Sequence, residues 1–237
     1  MLAVTDIRLP EKCRASLSAR GFSVVSLPPF SALDVRVASH PDMLILPLGN
    51  RLFVHKDYYT EARTVIDKII AQTSLSLILN DDVVGAEYPR DISLNLVVSG
   101  NYILGRCDSI AKAVAAHAKS MNIQLVNTNQ GYAKCSALVL GDKALITADP
   151  TIAHAGRSIS LDVLRVSEGH ITLDGYDHGF IGGASGVYGN AVFFCGDVLS
   201  HPDGNVIVDF CRAHGFDVLS LSDEPLCDMG TIFFLRK

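Results

Sequence analysis

The sequence predicts an α/β protein built as a pseudo-fivefold β/α-propeller, a ring of five units closed by pairing the C-terminal strand with an N-terminal half-unit. Three observations carry this. Gly49, Gly100, Gly141 and Gly189 each lie between apolar, strand-like runs, and eight residues after each comes an aspartate: Asp57, Asp108, Asp149 and Asp197. After each aspartate the apolar period is expected to pass from two to about 3.6. Finally, Ala19–Leu27 repeats Ala213–Leu221 at six of nine positions, although the two lie near opposite ends of the chain.

Taken in order, Met1–Val4 is a short apolar strand, Asp6 stands where the aspartate of a unit belongs, Pro10 starts a helix and Gly21 ends it. The first full unit is LILPLGNRLFV, a hairpin around Gly49, because a glycine followed by asparagine suits a two-residue turn needing positive φ. Tyr59, Ala62, Ile66, Ile69 and Ile70 then share one helical face, and LSLIL (75–79) forms the closing strand. The second unit repeats this with LNLVVSGNYIL, a helix begun by Ile110, Val114 and Ala115, and the strand IQLV (123–126). The third has its hairpin, ALVLGDKALIT, but Thr151–Asp174 shows little helical period and predicts extra strand and loop. In the fourth, Ser200-His201-Pro202-Asp203 reads as a capping box, Gly215 closes the helix and FDVLSL (216–221) follows. Glu224–Lys237 is a last apolar strand with Cys227 near its start and no helix after it, so Met1–Leu27 supplies the missing half of that unit.

The 237 residues are expected to form one domain, 1–237, with 49% hydrophobic residues and mean hydropathy +0.29. No apolar run approaches the ~20 residues of a membrane span, and Asp6 and Arg8 precede any signal-like stretch, so a cytoplasmic protein is expected, with no membrane partner. Its six cysteines are far apart and read as reduced thiols. A net charge of −5 without a basic run argues against nucleic acid and leaves a small-molecule ligand as the expected partner. The eight histidines show no ligand spacing; neither a zinc site nor a cofactor is expected.

In such a ring the first strand of each unit runs beside the axis, so equivalent positions converge. Nine residues before each turn glycine stand His40, Asp91, Tyr132 and Phe180; seven before stand Asp42, Ser93, Lys134 and Gly182. Cys227 falls near the same level. The chemistry on offer is a thiol with imidazole and carboxylates. His40 would carry protons, Asp42 and Asp91 would orient it or bind a cationic group, and Ser93 and Lys134 would bind substrate, Lys134 also favouring the thiolate. Burial of Cys227 as a small hydrophobe, and His40-Pro41-Asp42 as a mere lead-in to a strand, are the plainer readings. The recurrent aspartates are read as caps.

The arrangement resembles the pentein fold, the five-bladed propeller of guanidino-group-modifying enzymes (GME), and GFIGGASG (179–186) and QGYAKCS (130–136) suggest an uncharacterised family within that superfamily. The resemblance implies a cysteine nucleophile at the start of the final strand, matched by Cys227 in Leu226-Cys227-Asp228, with His178 as the histidine of the fourth unit and Asp228 among the substrate-binding groups. Where relatives carry an acidic clamp the third unit reads Ala133-Lys134-Cys135-Ser136, and a lysine there would repel a guanidinium. Two functions are therefore expected: a cysteine-dependent hydrolase or transferase acting on a small amidine, guanidine or amide-like C–N metabolite, or a non-catalytic pentein-fold binding or scaffold protein.

Overall fold

Each expected unit forms one three-stranded sheet. The structure, a computed structural model, describes residues 1–236; Lys237, the end of the expected closing strand, lies outside them. The chain begins with β1 (Leu2–Asp6), α1 (Glu11–Ala19) and β2 (Ser23–Leu27). The first full unit is α2 (Pro41–Leu44), β3 (Ile45–Leu48), β4 (Arg51–His55), α3 (Lys56–Ala71) and β5 (Ser76–Asn80). The second is β6 (Val97–Ser99), β7 (Tyr102–Gly105), α4 (Lys112–Ser120) and β8 (Gln124–Asn127). The third is α5 (Ala133–Ser136), β9 (Ala137–Leu140), β10 (Ala144–Thr147), α6 (Pro150–Ser158) and β11 (Asp162–Arg165). The fourth is β12 (Ser185–Tyr188), β13 (Ala191–Phe194), α7 (Gly204–Ala213) and β14 (Asp217–Ser220), and β15 (Phe233–Leu235) ends the chain.

Within every sheet the first strand pairs antiparallel with the second and the third pairs parallel with the second, as β3, β4 and β5 do. The four hairpin glycines all have positive φ, from 53° at Gly100 to 65° at Gly141, the conformation that glycine adopts without steric cost. The split unit is assembled from both ends: β15 pairs antiparallel with β1, Leu2 opposite Leu235, and β2 pairs parallel on its other side.

Period-two alternation puts the two faces of each strand into different cores. On β4, Leu52 and Val54 join the core under α3, whereas Phe53 joins the one under α4. Among the described residues five such apolar clusters lie between neighbouring sheets. One of them packs Ala3 of β1 and Leu17 of α1 against Phe193 of β13. The first strands β3, β6, β9, β12 and β15 line a common cavity of about 220 Å³. Among the described residues no helix is long and apolar enough to cross a membrane.

Three expectations need correction. The third unit does contain its helix, α6, whose buried positions include Ala153, Ala155 and Gly156; residues this small carry no strong apolar signal. Gly156 is there because a Cβ would meet Leu145 at 2.8 Å, so the helix packs close to β10. The closing strand is only three residues long, and Cys227–Ile232 before it is irregular, with Gly230 and Thr231 at φ 64° and 72°. The capping box at Ser200 does not form: the Asp203 carboxylate instead accepts from Ser167 N at 2.6 Å.

The recurrent aspartates divide. Asp149 caps α6, accepting from Thr151 N at 2.7 Å and Ile152 N at 2.9 Å, and Asp197 accepts from Leu199 N at 3.0 Å. Asp57 lies inside the first turn of α3, beyond its N-cap His55. Asp149→Ala is therefore expected to lower stability by about 1 kcal/mol. Asp57→Ala should stay within about 0.5 kcal/mol of the parent, both read from urea midpoints.

Candidate active site

Five segments leading into the first strands converge at one end of the sheets. On α2, Asp42 is fully buried and its N–H donates to Gly230 O at 3.0 Å. On α5, the Cys135 thiol donates to Asp42 Oδ2 at 3.0 Å and receives Asn95 Nδ2 at 3.0 Å. Asn95 Oδ1 accepts from Lys134 N at 2.8 Å and Cys135 N at 3.2 Å, so one side chain fixes both the turn and the sulfur. His40, the N-cap of α2, is 1% exposed. Its Nε2 lies 3.8 Å from Asp6 Oδ2 and its Nδ1 3.9 Å from Asp228 Oδ1, and neither nitrogen is hydrogen-bonded. One nitrogen of His40, one oxygen of Asp42 and the Cys135 sulfur lie within 4.8 Å of one another.

Asp228 accepts from Phe180 N and Gly230 N, both at 2.9 Å. Gly183 faces this carboxylate so closely that a Cβ would overlap it, and a Cβ on Gly182 would overlap the backbone oxygens of Lys134, Cys135 and Ala137. The glycines of GFIGGASG are thus the price of a close approach. Thr231 holds a β-branched side chain at φ 72°, a conformation costing roughly 1–3 kcal/mol. That placement puts its Oγ1 2.9 Å from both Asp42 Oδ2 and Gly182 O, and 3.1 Å from Lys134 Nζ.

Burial governs the electrostatics, because it disfavours whichever form is charged. It pushes Asp42 and Asp228 up and lifts the Cys135 thiol well above its usual range. It also pushes His40 down, against the pull of Asp228 and Asp6, and Lys134 down, against Asp42. Asp6 is the exception: burial raises it, but the hydrogen bonds and charge of Arg8 overcome that and hold it low.

Cys135 and His40 open onto a cavity of about 260 Å³, walled by Tyr132, Tyr176 and Phe180. Among the described residues its lining carries the carboxylates of Asp177 and Asp228 and no lysine or arginine.

The residues singled out in the sequence are only partly brought together. His40, His178 and Asp228 reach this cavity, and Asp42 stands behind Cys135. His178 is turned away from the cluster, with Nε2 3.3 Å from Glu168. Asp91 is one step removed, accepting from the Tyr132 hydroxyl at 2.6 Å. Ser93 is buried and its Oγ has no partner. Lys134 points to the other cavity, the one between the first strands. The lysine is therefore absent from the lining of the 260 Å³ cavity, although its charge still reaches Asp42 and Cys135 from behind. Cys227 lies outside the cluster: its backbone N–H and its thiol both donate to Cys195 O, at 2.9 and 3.5 Å. It lines a separate surface hollow with residues 169–177, and burial pushes it up to about 12. Cys135 and Asn95, which join the cluster through Asp42 and the α5 turn, are not among the residues that the sequence points to. The signal present was the position of Cys135, next to Lys134 at the level where relatives keep their clamp.

A family model matches residues 4–233. The chain belongs to that family, DUF6873, a family of unknown function. No curated protein matches it. Among solved structures, this DUF6873 chain is similar to DDAH from Pseudomonas aeruginosa in complex with citrulline, with TM-score 0.58 and 10% identity over 94% of this chain and 91% of that one. It is also similar to an agmatine deiminase from C. jejuni, with TM-score 0.57 and 9% identity over 93% and 86% of the two chains. An amidinotransferase from Microseira wollei gives 0.53 and 12% over 93% and 88%. All three belong to the pentein superfamily, and the DUF6873 chain shares its fold; at such identities the likeness speaks for the fold alone.

Proposed function

We propose that this DUF6873 protein is a cysteine-dependent hydrolase or transferase acting on a small amidine or guanidine, with Cys135 rather than Cys227 as nucleophile. The five sheets form a closed pseudo-fivefold ring, one domain around a central site. The observation that carries this reading is the contact of the Cys135 thiol with Asp42, beside the buried His40, on the wall of a cavity with two carboxylates. A cationic C–N group docks between Asp228, Asp177 and the aromatic walls, and its charge favours the thiolate. The thiol proton passes to Asp42 and, through His40, to the departing nitrogen as the Sγ–C bond forms and the C–N bond breaks. Water, or an acceptor amine in a transferase, then attacks the same carbon, the S–C bond breaks and the thiol regains its proton. Cys135 and Asp42 are already in contact, whereas His40 lies within 4.8 Å of both without a hydrogen bond to either, and such contacts commonly tighten only with substrate.

A thiol that burial keeps protonated favours a second reading, a non-catalytic protein that binds a small cation in the same cavity. Alkylation separates the two. The native protein is treated with 2-chloroacetamidine or iodoacetamide, and the labelled cysteine is located by peptide mass. The hydrolase reading expects Cys135 to take the amidine reagent faster than iodoacetamide. Labelling of Cys135 no faster than in the urea-unfolded chain, or labelling of Cys227 instead, overturns it.

A further inference from the structure

We infer that His40, Asp42 and Cys135 form a binding site for a divalent transition-metal ion, zinc by its donor chemistry, with an open coordination position facing the 260 Å³ cavity. The site does not rest on the enzymatic reading; it stands whether or not Cys135 attacks a substrate.

The first support is a set of buried atoms with nothing to bind. His40 and Asp42 are 1% and 0% exposed, yet both imidazole nitrogens and Asp42 Oδ1 lack hydrogen-bond partners among the described residues. Buried polar atoms are nearly always satisfied, and each that is not costs about 1–3 kcal/mol. Here the unsatisfied atoms belong to neighbouring residues that also hold a cysteine. A cation at their centre satisfies an imidazole nitrogen and a carboxylate oxygen together, and replaces the thiol proton.

The second is geometry. Tetrahedral zinc with bonds of about 2.0–2.3 Å holds its ligand atoms about 3.5 Å apart. The Cys135 sulfur and Asp42 Oδ2 are 3.0 Å apart, and the three donors all lie within 4.8 Å, so that spacing is bracketed. The donors are one thiolate, one imidazole and one carboxylate. Magnesium and calcium prefer all-oxygen shells; sulfur and nitrogen select zinc or a neighbouring transition metal. Three protein ligands leave the fourth position for water or a ligand, as in catalytic rather than structural zinc sites.

The third is the surround. Whichever imidazole nitrogen takes the metal, the other faces a carboxylate, Asp6 at 3.8 Å or Asp228 at 3.9 Å, the usual support of a metal-bound histidine. Asn95 Nδ2 already points at the sulfur and Thr231 Oγ1 at Asp42, both as donors to groups that become or stay anionic. A dication neutralises the carboxylate and thiolate that burial otherwise resists. As the ion enters, the Cys135 proton leaves to solvent, and the metal-bound sulfur is no longer free to attack carbon. Histidine spacing along the chain could not reveal this site, because its ligands come from α5 and from the start of α2, far apart in sequence.

The test is titration of the metal-stripped protein with Co²⁺, followed by absorbance. One equivalent should give a thiolate-to-cobalt charge-transfer band with tetrahedral visible bands, both displaced by Zn²⁺. Cys135→Ser should abolish the charge-transfer band, one of Asp228→Asn (with Nε2 on the metal) and Asp6→Asn (with Nδ1 on the metal) should weaken binding about 10- to 100-fold, and Cys227→Ser should change nothing. Should a variant fail to fold by circular dichroism, the parent protein decides: one equivalent of Zn²⁺ must protect Cys135 from iodoacetamide in peptide mapping. Absence of the band, its survival in Cys135→Ser, or no protection by Zn²⁺ overturns the site. A cobalt band without amidine labelling of the metal-stripped protein rejects only the enzymatic reading; labelling of the metal-stripped protein without a band rejects only the metal.

Discussion

Cys135→Ser is expected to abolish turnover of small amidines and guanidines, by at least about 10³-fold, and to leave no cysteine that takes 2-chloroacetamidine at an enhanced rate. Cys227→Ser is expected to leave both intact. The contrast follows from what each sulfur can reach. Cys135 has a carboxylate acceptor at 3.0 Å and His40 within the same small cluster, and it borders a cavity able to hold a substrate. Cys227 has only a backbone carbonyl, Cys195 O, at 3.5 Å, which cannot take its proton. Serine keeps the approximate shape and the hydrogen bond to Asp42 but is a far weaker nucleophile without a strong base. The comparison is made by amine or ammonia release across a panel of candidate substrates, and by adduct mass. Equal loss in both variants, or loss in Cys227→Ser alone, would return the chemistry to the final segment.

Gly183→Ala is expected to destabilise the protein by about 3 kcal/mol or more, far beyond an ordinary glycine-to-alanine change. The reason is steric and local. The added methyl overlaps the Asp228 carboxylate, whose oxygens are fixed by Phe180 N and Gly230 N. Retreat is blocked, because Gly183 donates to Cys135 O at 2.8 Å and accepts from Met229 N and Thr231 N at 3.1 and 2.9 Å. Urea unfolding gives the loss, and Gly189→Ala is the control: it has positive φ but nothing within 4 Å of a new Cβ, so only about 1 kcal/mol is expected. A Gly183→Ala variant as stable as that control would refute the close-approach account.

Turn chemistry made the repeat legible, because it is local: a glycine before asparagine or aspartate marks a hairpin where apolar runs flank it on both sides, as at Gly49, Gly100, Gly141 and Gly189, whereas Gly204-Asn205 opens α7. The near-copy of Ala213–Leu221 at Ala19–Leu27 exposed the split unit for the same reason, since both segments lead from a helix end into a third strand, β14 and β2. Position along the axis was legible too, and counting back from the turns found His40, Asp42 and Lys134. Direction was not. The count assumed extended backbone, where alternate residues share a side, whereas Asp42, Lys134 and Cys135 sit on single helical turns. One such turn sends Lys134 toward the opposite cavity and its neighbour Cys135 toward Asp42. The left-handed residues Gly230 and Thr231 likewise uncouple Cys227 from the strand that follows it.

The strained Thr231 has a further consequence. Its hydroxyl carries one proton but faces two acceptors at the same 2.9 Å, Asp42 Oδ2 and Gly182 O, while the Lys134 ammonium of the opposite cavity donates to the same oxygen. One proton serves one acceptor at a time, and an ionised carboxylate is the stronger acceptor of the two. A single hydroxyl thus joins Asp42, behind the 260 Å³ cavity, to Lys134 on the lining of the cavity between the first strands.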